Sequence, residues 1–441
     1  MTSLGEVGVI NFKTDKPASD LHALYANELA QASLYEEILS SFGKGVWVDQ
    51  AQGNAIRVRV CEKDEVPTPQ DRLSVRKMNA VRTIESEGDG LKSYITICIA
   101  LLLGRRPICI IDEPEMCLHP PQANSIGQFI GRHGASDGTA TFVATHSSNV
   151  LRGVVQSAKD VQIIRLERRK KRFVAHLVPP EVLAEALKKP TVRAESILDG
   201  IFFESIVVVE ADGDRLVYQS VWETLSSELR SDVHFATVGG TGGVVDTCKL
   251  YRALRIPVAV IADLDLITDP NLLAAVLKAL GGDDEVDDLA GRATEIMAAV
   301  MSDPASLTLA AVREALSTIL PNGTQWNGEQ DITVRRELSR LSRKLDRMRK
   351  LKVGGVRRVA ERIAGPLSEL LTRTKKHGLF LVPLGNLEDW LAGRVPESKE
   401  NEKWAWANAA ALYVQSQGAQ HGDVWDFVRE VGRYVQDDRI L

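Results

Sequence analysis

The sequence is short of the features that mark several protein classes. It has five cysteines in 441 residues, Cys61, Cys98, Cys109, Cys117 and Cys248. None forms a closely spaced pair, which argues against a zinc module or a disulfide framework and suits a reducing compartment. Long apolar runs are missing: the longest, Tyr94 to Leu103, falls short of the roughly 20 residues that cross a bilayer. The first residues, MTSLGEVGVINFKTDKP, lack the basic-then-apolar pattern of an export signal. These features lead us to expect a cytoplasmic protein with no membrane association. Charge of one sign is not in excess either, with 59 acidic against 54 basic residues and a net charge of -5. Any nucleic-acid contact must therefore come from local patches. Internal repeats and low-complexity tracts are absent.

What is present reads as two α/β segments in series. Leu21 to Phe42 has helical periodicity, and Val46 to Val60 alternates like strands. Ile108-Cys109-Ile110-Ile111 and Thr141-Phe142-Val143-Ala144 are continuous apolar runs of the kind that form buried parallel strands. Residues 178–204 read as a helical linker broken by Pro179, Pro180 and Pro190. From Ser205 a second α/β pattern begins, with strands at Ile206–Val209, Val233–Val238, Pro257–Ile261 and Leu379–Val382. A mostly helical insertion covers about 270–370, and a helical tail covers 401–441.

Chemistry-bearing residues gather at strand ends. The first apolar run ends in Asp112-Glu113-Pro114-Glu115, at the carboxyl edge where α/β sheets bind ligands. An Asp there can hold Mg²⁺, and the next Glu can orient a water against a phosphate. Upstream, Glu87-Gly88-Asp89-Gly90-Leu91-Lys92-Ser93 opens an apolar helix whose glycines let backbone N–H groups approach a phosphate. Downstream, Ala144-Thr145-His146-Ser147 ends the second strand. This order resembles the ABC ATPase family: signature loop, Walker B, D-loop and switch histidine. The resemblance implies that Gly88, Asp89 and Gly90 reach a nucleotide held by a partner subunit. It also implies that Asp112 binds Mg²⁺, Glu113 polarises water and His146 senses the γ-phosphate. One element is missing: no G-x-x-x-x-G-K-[ST] phosphate loop occurs in the sequence. Phe42-Gly43-Lys44-Gly45 does not fit it. The alternatives are an upstream start, a partner that supplies the loop, or lost nucleotide binding.

In the second segment, Val207-Val208-Val209 ends in Glu210-Ala211-Asp212-Gly213-Asp214, and Val258-Ala259-Val260-Ile261 ends in Ala262-Asp263-Leu264-Asp265. Carboxylates crowded at adjacent strand ends repel one another and make sense around hard divalent cations. The pattern resembles the Toprim fold, with its strand-end Glu and its Asp-x-Asp. Gly239 to Gly243 is either a tight turn or a place where a DNA phosphate meets backbone. After the last strand, Gly385-Asn386-Leu387-Glu388-Asp389 resembles the late acidic element of Toprim domains in the OLD (overcoming lysogenization defect) family.

An ABC half followed by a Toprim domain resembles that OLD family as a whole. The implied fold is α/β: an incomplete ABC-type ATPase core (79–177, with 1–78 as a partial N-terminal region) and a Toprim domain (205–400) carrying the helical insertion. The implied activity is metal-dependent DNA endonucleolysis with Mg²⁺ or Mn²⁺ and an ATP-coupled module. Asp263 and Asp265 would hold one metal, and Glu210, Asp214 and Glu388 the other. A late lysine near the scissile phosphate would be Lys399 or Lys403, with Lys403 taken as the catalytic choice. DNA, a homodimer through the ATPase heads and an accessory defence protein are the implied partners, with a role in phage defence or DNA processing. Competing readings are an ATP-gated DNA-binding module without catalysis and an N-terminally truncated fragment. Two basic stretches, Arg335 to Arg362 and Arg168 to Arg172, are either DNA backbone contacts or solvated surface.

Overall fold

The structure, a computed structural model, describes residues 4–51, 53–68, 70–135, 139–169, 172–178, 195–230, 232–239, 241–302, 309–319, 328–395 and 403–437. They form two compact units, 1–163 and 164–441.

The first unit runs β1 (Val7–Gly8), α1 (Asp20–Tyr25), α2 (Glu28–Phe42), β2 (Lys44–Asp49), β3 (Ala55–Glu62), α3 (Val75–Met78), α4 (Asp89–Leu103), β4 (Ile108–Asp112), α5 (Pro120–His133), β5 (Ala140–Ala144) and α6 (Ser148–Ser157). The single helix expected over Leu21 to Phe42 is two helices. The break falls at Asn27, whose side chain accepts from the Ala30 N–H at 3.0 Å and starts α2 afresh. Asparagine competes well for that capping position, so hydrophobic periodicity carries across a boundary that the chain does not ignore. β1, β3 and β2 form an antiparallel sheet, and β4 pairs with β5 in parallel. The helix α4 buries Leu91, Tyr94, Ile95 and Cys98 in a core shared with Ile56, Val58, Ile111, Phe129 and Val150. The opposite face of the β4–β5 pair shows Ile108, Ile110 and Phe142 to solvent.

Two polar clusters brace this core. Arg59 donates to Asp49 at 2.9 Å with both side chains buried. Glu37 accepts from Tyr94 at 2.6 Å and from Arg132 at 2.9 Å. Helices α5 and α6 approach through Gly127 and Gly153, where any Cβ would collide with the carbonyls of Val150 and Asn124.

The second unit runs β6 (Ile164–Arg169), β7 (Arg172–Leu177), α7 (Glu195–Asp199), β8 (Ser205–Val209), α8 (Asp212–Thr224), β9 (Val233–Thr237), α9 (Val244–Ala253), β10 (Val258–Ala262), α10 (Pro270–Ala279), α11 (Val286–Ser302), α12 (Leu309–Ile319), α13 (Gly328–Leu345), α14 (Arg349–Lys352), α15 (Glu361–Lys376), β11 (Leu379–Leu381), α16 (Lys403–Gln417) and α17 (Asp423–Val435). Its sheet is parallel throughout in the order β11-β10-β8-β9. Every residue of β8 and β10 is buried, which is why these strands read as unbroken apolar runs. The β6–β7 hairpin, placed with the ATPase half on sequence grounds, clusters with this second unit, and Arg165 donates to the Phe203 carbonyl at 3.1 Å. The segment read as a tail is core: Trp406, Val414, Trp425, Phe427 and Val428 pack with Val207, Ile261 and Phe380. Most of the expected helical linker, residues 179–194, lies outside the described residues.

Candidate functional site

In the first unit, β4 delivers Asp112 to its carboxyl end, in register with Ala144 of β5. Glu113 follows in a left-handed conformation (φ 46°), held by its N–H donating to the Ala144 carbonyl at 2.8 Å. Such a φ is costly for a glutamate and persists where surrounding contacts enforce it. Cys117 (φ 62°) repeats the feature four residues on. Glu115 ties the two strand ends together, because its Oε1 accepts from Thr145 Oγ1 at 2.8 Å and from the His146 N–H at 3.1 Å. Its Oε2 is buried and has no hydrogen-bond partner among the described residues. The His146 ring sits 3.4 Å from Glu113 and 3.3 Å from Glu115. Gly88 caps α4, and Gly90 lies where a Cβ would strike the Cys117 carbonyl. Asp89, Lys92, Asp112 and Cys117 line one open cavity of about 1080 Å³. Asp112, Glu113 and His146 thus gather at one sheet edge, and the Gly88–Gly90 turn reaches it through Cys117. No phosphate-cradling glycine loop accompanies them among the described residues. The donors present fit the water- and metal-directed part of a nucleotide site but not the part that grips phosphates.

In the second unit, Glu210 directly follows β8 and Asp263 directly follows β10, its parallel neighbour. Two carboxylates therefore leave the same sheet edge side by side. The Asp263 backbone N–H favours the charged form of Glu210, against the larger effects that raise it. Asp214 stands in the first turn of α8, where its Oδ2 accepts from the Ala211 N–H at 3.2 Å. That bond closes the turn through Asp212 and Gly213 and aims Asp214 back at the strand end. Glu388, in the turn after β11, acts electrostatically on both Asp214 and Asp263.

Crowding perturbs these acids strongly. Burial first, then the charges of Asp214, Glu210, Asp265 and Glu388, push Asp263 up to about 8. Burial and the Glu388 charge raise Asp214 to about 6, against the Ala211 hydrogen bond and the Lys403 ammonium. Glu210 is raised by burial, Asp265 and Asp214. Carboxylates that cannot all ionise together are a recurring mark of functional sites. The donor set is oxygen only and hard, which fits Mg²⁺ or Mn²⁺ and not a soft metal. As the side chains stand, no three His, Cys, Asp or Glu groups among the described residues converge tightly enough to enclose an ion. Asp265 is turned instead to a cation of the protein, with its Oδ2 2.8 Å from Lys352 Nζ.

Of the residues singled out in the sequence, Glu210, Asp214, Asp263, Asp265 and Glu388 are brought together. Lys403, at the start of α16, acts on Asp214, whereas Lys399 lies outside the described residues. The turn residue Gly239 has φ 65°, and Gly240 lies outside the described residues. Lys352 was missed. It is one of twelve basic residues in 335–362, 87 positions from Asp265, and no spacing rule connects the two.

Comparison with known proteins matches both units. Residues 57–152 match the family "AAA domain, putative AbiEii toxin, Type IV TA system". Residues 201–265 match "Overcoming lysogenization defect protein-like, TOPRIM domain". A curated relative, "Old nuclease" of Escherichia phage P2, is 24% identical over 170 residues, which are 37% of this chain and 28% of the phage protein. The match thus spans little more than a quarter of that relative's length. Two solved structures named for SMC proteins also align at 12% identity. One, described by ATP-driven dimerization and DNA-stimulated activation of SMC ATPases, covers 39% of this chain and 98% of its own, with a TM-score of 0.27. The other, an SMC head bound to the C-terminal winged-helix domain of ScpA, covers 38% of this chain and 52% of its own, with a TM-score of 0.28. Scores this low carry no argument. The two family matches, in this order, and the phage relative support an α/β protein that joins an ATPase domain to an OLD-like Toprim domain.

Proposed function

We propose that this chain, an ATPase–Toprim protein of the OLD type, is a metal-dependent DNA endonuclease whose chemistry resides in the second unit. The observation that carries the reading is the carboxylate cluster at the β8–β10 edge, with Asp263 pushed up to about 8 by burial and by neighbouring acids. A buried acid cluster is costly unless a cation joins it. Asp263 and Asp265 would hold one divalent ion, and Glu210, Asp214 and Glu388 a second. Such ions would supply a water of lowered pKa and a counter-charge for the leaving oxygen. Asp214 is held by its Ala211 bond, and the other carboxylates would have to draw in around an ion, with Asp265 turning from Lys352. Lys403, beside Asp214, is the cationic candidate at the α8 side of the cluster.

The first unit is the ATP-responsive part in this reading. Asp112 is its Mg²⁺ ligand, Glu113 its water-orienting base, His146 its γ-phosphate sensor, and Gly88, Asp89 and Gly90 its signature turn. Among the described residues no loop for gripping phosphates accompanies them, and no hydrolytic step is assigned to this chain by itself. A second copy of the chain, meeting through the ATPase units, is the partner that the signature turn implies. DNA is the substrate, the cytoplasm the location, and phage defence or DNA processing the setting.

Supercoiled plasmid incubated with the purified chain and Mg²⁺ or Mn²⁺, with and without ATP, tests the reading. Nicking that needs metal and disappears in Asp263→Ala supports it. Intact plasmid with folded protein in both metals refutes an autonomous nuclease.

A further inference from the structure

The insertion between β10 and β11 contributes one charged group to the carboxylate edge. Lys352, the last residue of α14, places Nζ 2.8 Å from Asp265 Oδ2. Its charge also acts on Asp263 and Glu210. This placement is built by a backbone clasp. Gly385 (φ 106°) lies so close to α14 that a Cβ there would strike the carbonyls of Lys352 and Leu351. Gly355 (φ 48°) lies equally close to the Pro383 carbonyl. The Val356 N–H donates to that same carbonyl at 2.9 Å, and the Gly354 N–H donates to the Asp389 carboxylate at 2.6 Å. On its other side the 383–389 turn is tied to the acid loop, because the Leu264 N–H donates to the Gly385 carbonyl at 2.8 Å. Leu351, next to the lysine, is fully buried and anchors the helix. One turn therefore holds Asp263–Asp265 on one side and Lys352 on the other.

The ion pair itself is loose by comparison. The Lys352 and Asp265 side chains keep 57% and 35% of their exposure, and pairs this wet exchange partners readily. A rigid mount carrying a replaceable contact suits a group that changes partner. The incoming partner must be an anion that approaches a wall of carboxylates, and such an anion needs a positive charge at that wall.

We propose that Lys352 is a catalytic residue of this site: its ammonium contacts a non-bridging oxygen of the scissile phosphate, and rests on Asp265 when no phosphate is bound. The proposal rests on the phosphodiester-cleavage reading above and adds a residue that neither the acid motifs nor the late lysines supply. Lys352 forms and breaks no covalent bond. It keeps its proton throughout and offsets the charge that grows on the phosphoryl oxygens, as fixed donors do at developing oxyanions. The compact ammonium on a flexible stem reaches both Asp265 and a phosphate without moving the clasp.

The test pairs plasmid nicking with Mn²⁺ binding by electron paramagnetic resonance in wild type, Lys352→Ala and Lys352→Arg. The expected result is nicking about 10²-fold slower in Lys352→Ala, partly restored in Lys352→Arg, with Mn²⁺ affinity equal to or tighter than wild type in both. Wild-type nicking rates in Lys352→Ala overturn the proposal. So does loss of Mn²⁺ binding in step with the rate, which would make the lysine a brace for Asp265. A wild type that never nicks removes the cleavage reading and this proposal with it. A wild type that nicks beside an equally active Lys352→Ala removes the proposal alone.

Discussion

Replacing Asp263 by Asn should stabilise the metal-free protein, and by more as pH rises. Asp263 goes from 3.8 to about 8 on folding because it is buried among other acids. Between those values the folded state binds more protons at this position than the unfolded state. Stability is therefore lost as pH climbs from 4 toward 8, and the loss is complete above the folded value. A span of about four pH units caps the loss at ~6 kcal/mol. Burial comes first and the neighbouring acids second in raising Asp263, and the acids relax together, so a single substitution should return only part of that cap. Asparagine keeps the shape of the protonated acid and carries no charge. In EDTA the variant should be modestly the more stable already at pH 5, above the unfolded value of 3.8, and by a wider margin at pH 8.5. Adding Mn²⁺ should reverse the order, since a cation that binds only the folded wild type adds stability by mass action. Urea titrations at both pH values, with and without Mn²⁺, measure all four conditions. A wild type whose stability is flat from pH 5 to 8.5, or a variant that is weaker throughout in EDTA, would refute the electrostatic reasoning.

Three further outcomes are expected. Asp49→Ala leaves the buried Arg59 guanidinium without its 2.9 Å partner and should destabilise the first unit by about 3–5 kcal/mol, read as a lower denaturation midpoint with an unchanged slope. Gly385→Ala strains a φ of 106° and pushes on Lys352, so nicking should fall while far-ultraviolet circular dichroism stays near wild type. Exchanging the exposed Arg335, Arg336 and Arg340 of α13 for Glu should weaken DNA binding at low salt and flatten its salt dependence by about two to three counterions. An unchanged salt slope would remove that helix from the DNA-binding surface.

Both strand-end motifs were readable because they rest on local rules. β8 and β10 are buried at every position, so their apolar runs stand out, and an acid directly after such a run marks the sheet edge whatever surrounds it. The Glu210 to Asp214 spacing was readable too, since the turn it spans is closed by its own Ala211 bond. What could not be read depends on approach across the fold. Asn27 cuts a helix whose apolar stripe continues through it. Trp406, Trp425 and Phe427 read as part of a tail because nothing local says that they cover the sheet. Gly385 and Lys352 meet only after the insertion folds back, and the φ of a glycine in a loop leaves no trace in composition. The lysine was hidden further by its neighbours, since one functional cation among many basic residues has no pattern of its own.

A divalent-cation site at the β8–β10 edge binds Mn²⁺ through Asp263. In an Asp112→Ala background, which removes the first unit's candidate ligand, bound Mn²⁺ is counted by electron paramagnetic resonance at pH 7.5 with and without Asp263→Asn. One to two ions per chain are expected with Asp263 in place, and at least one fewer with Asn. Equal occupancy in the two proteins, or no bound Mn²⁺ with Asp263 in place, would refute the site.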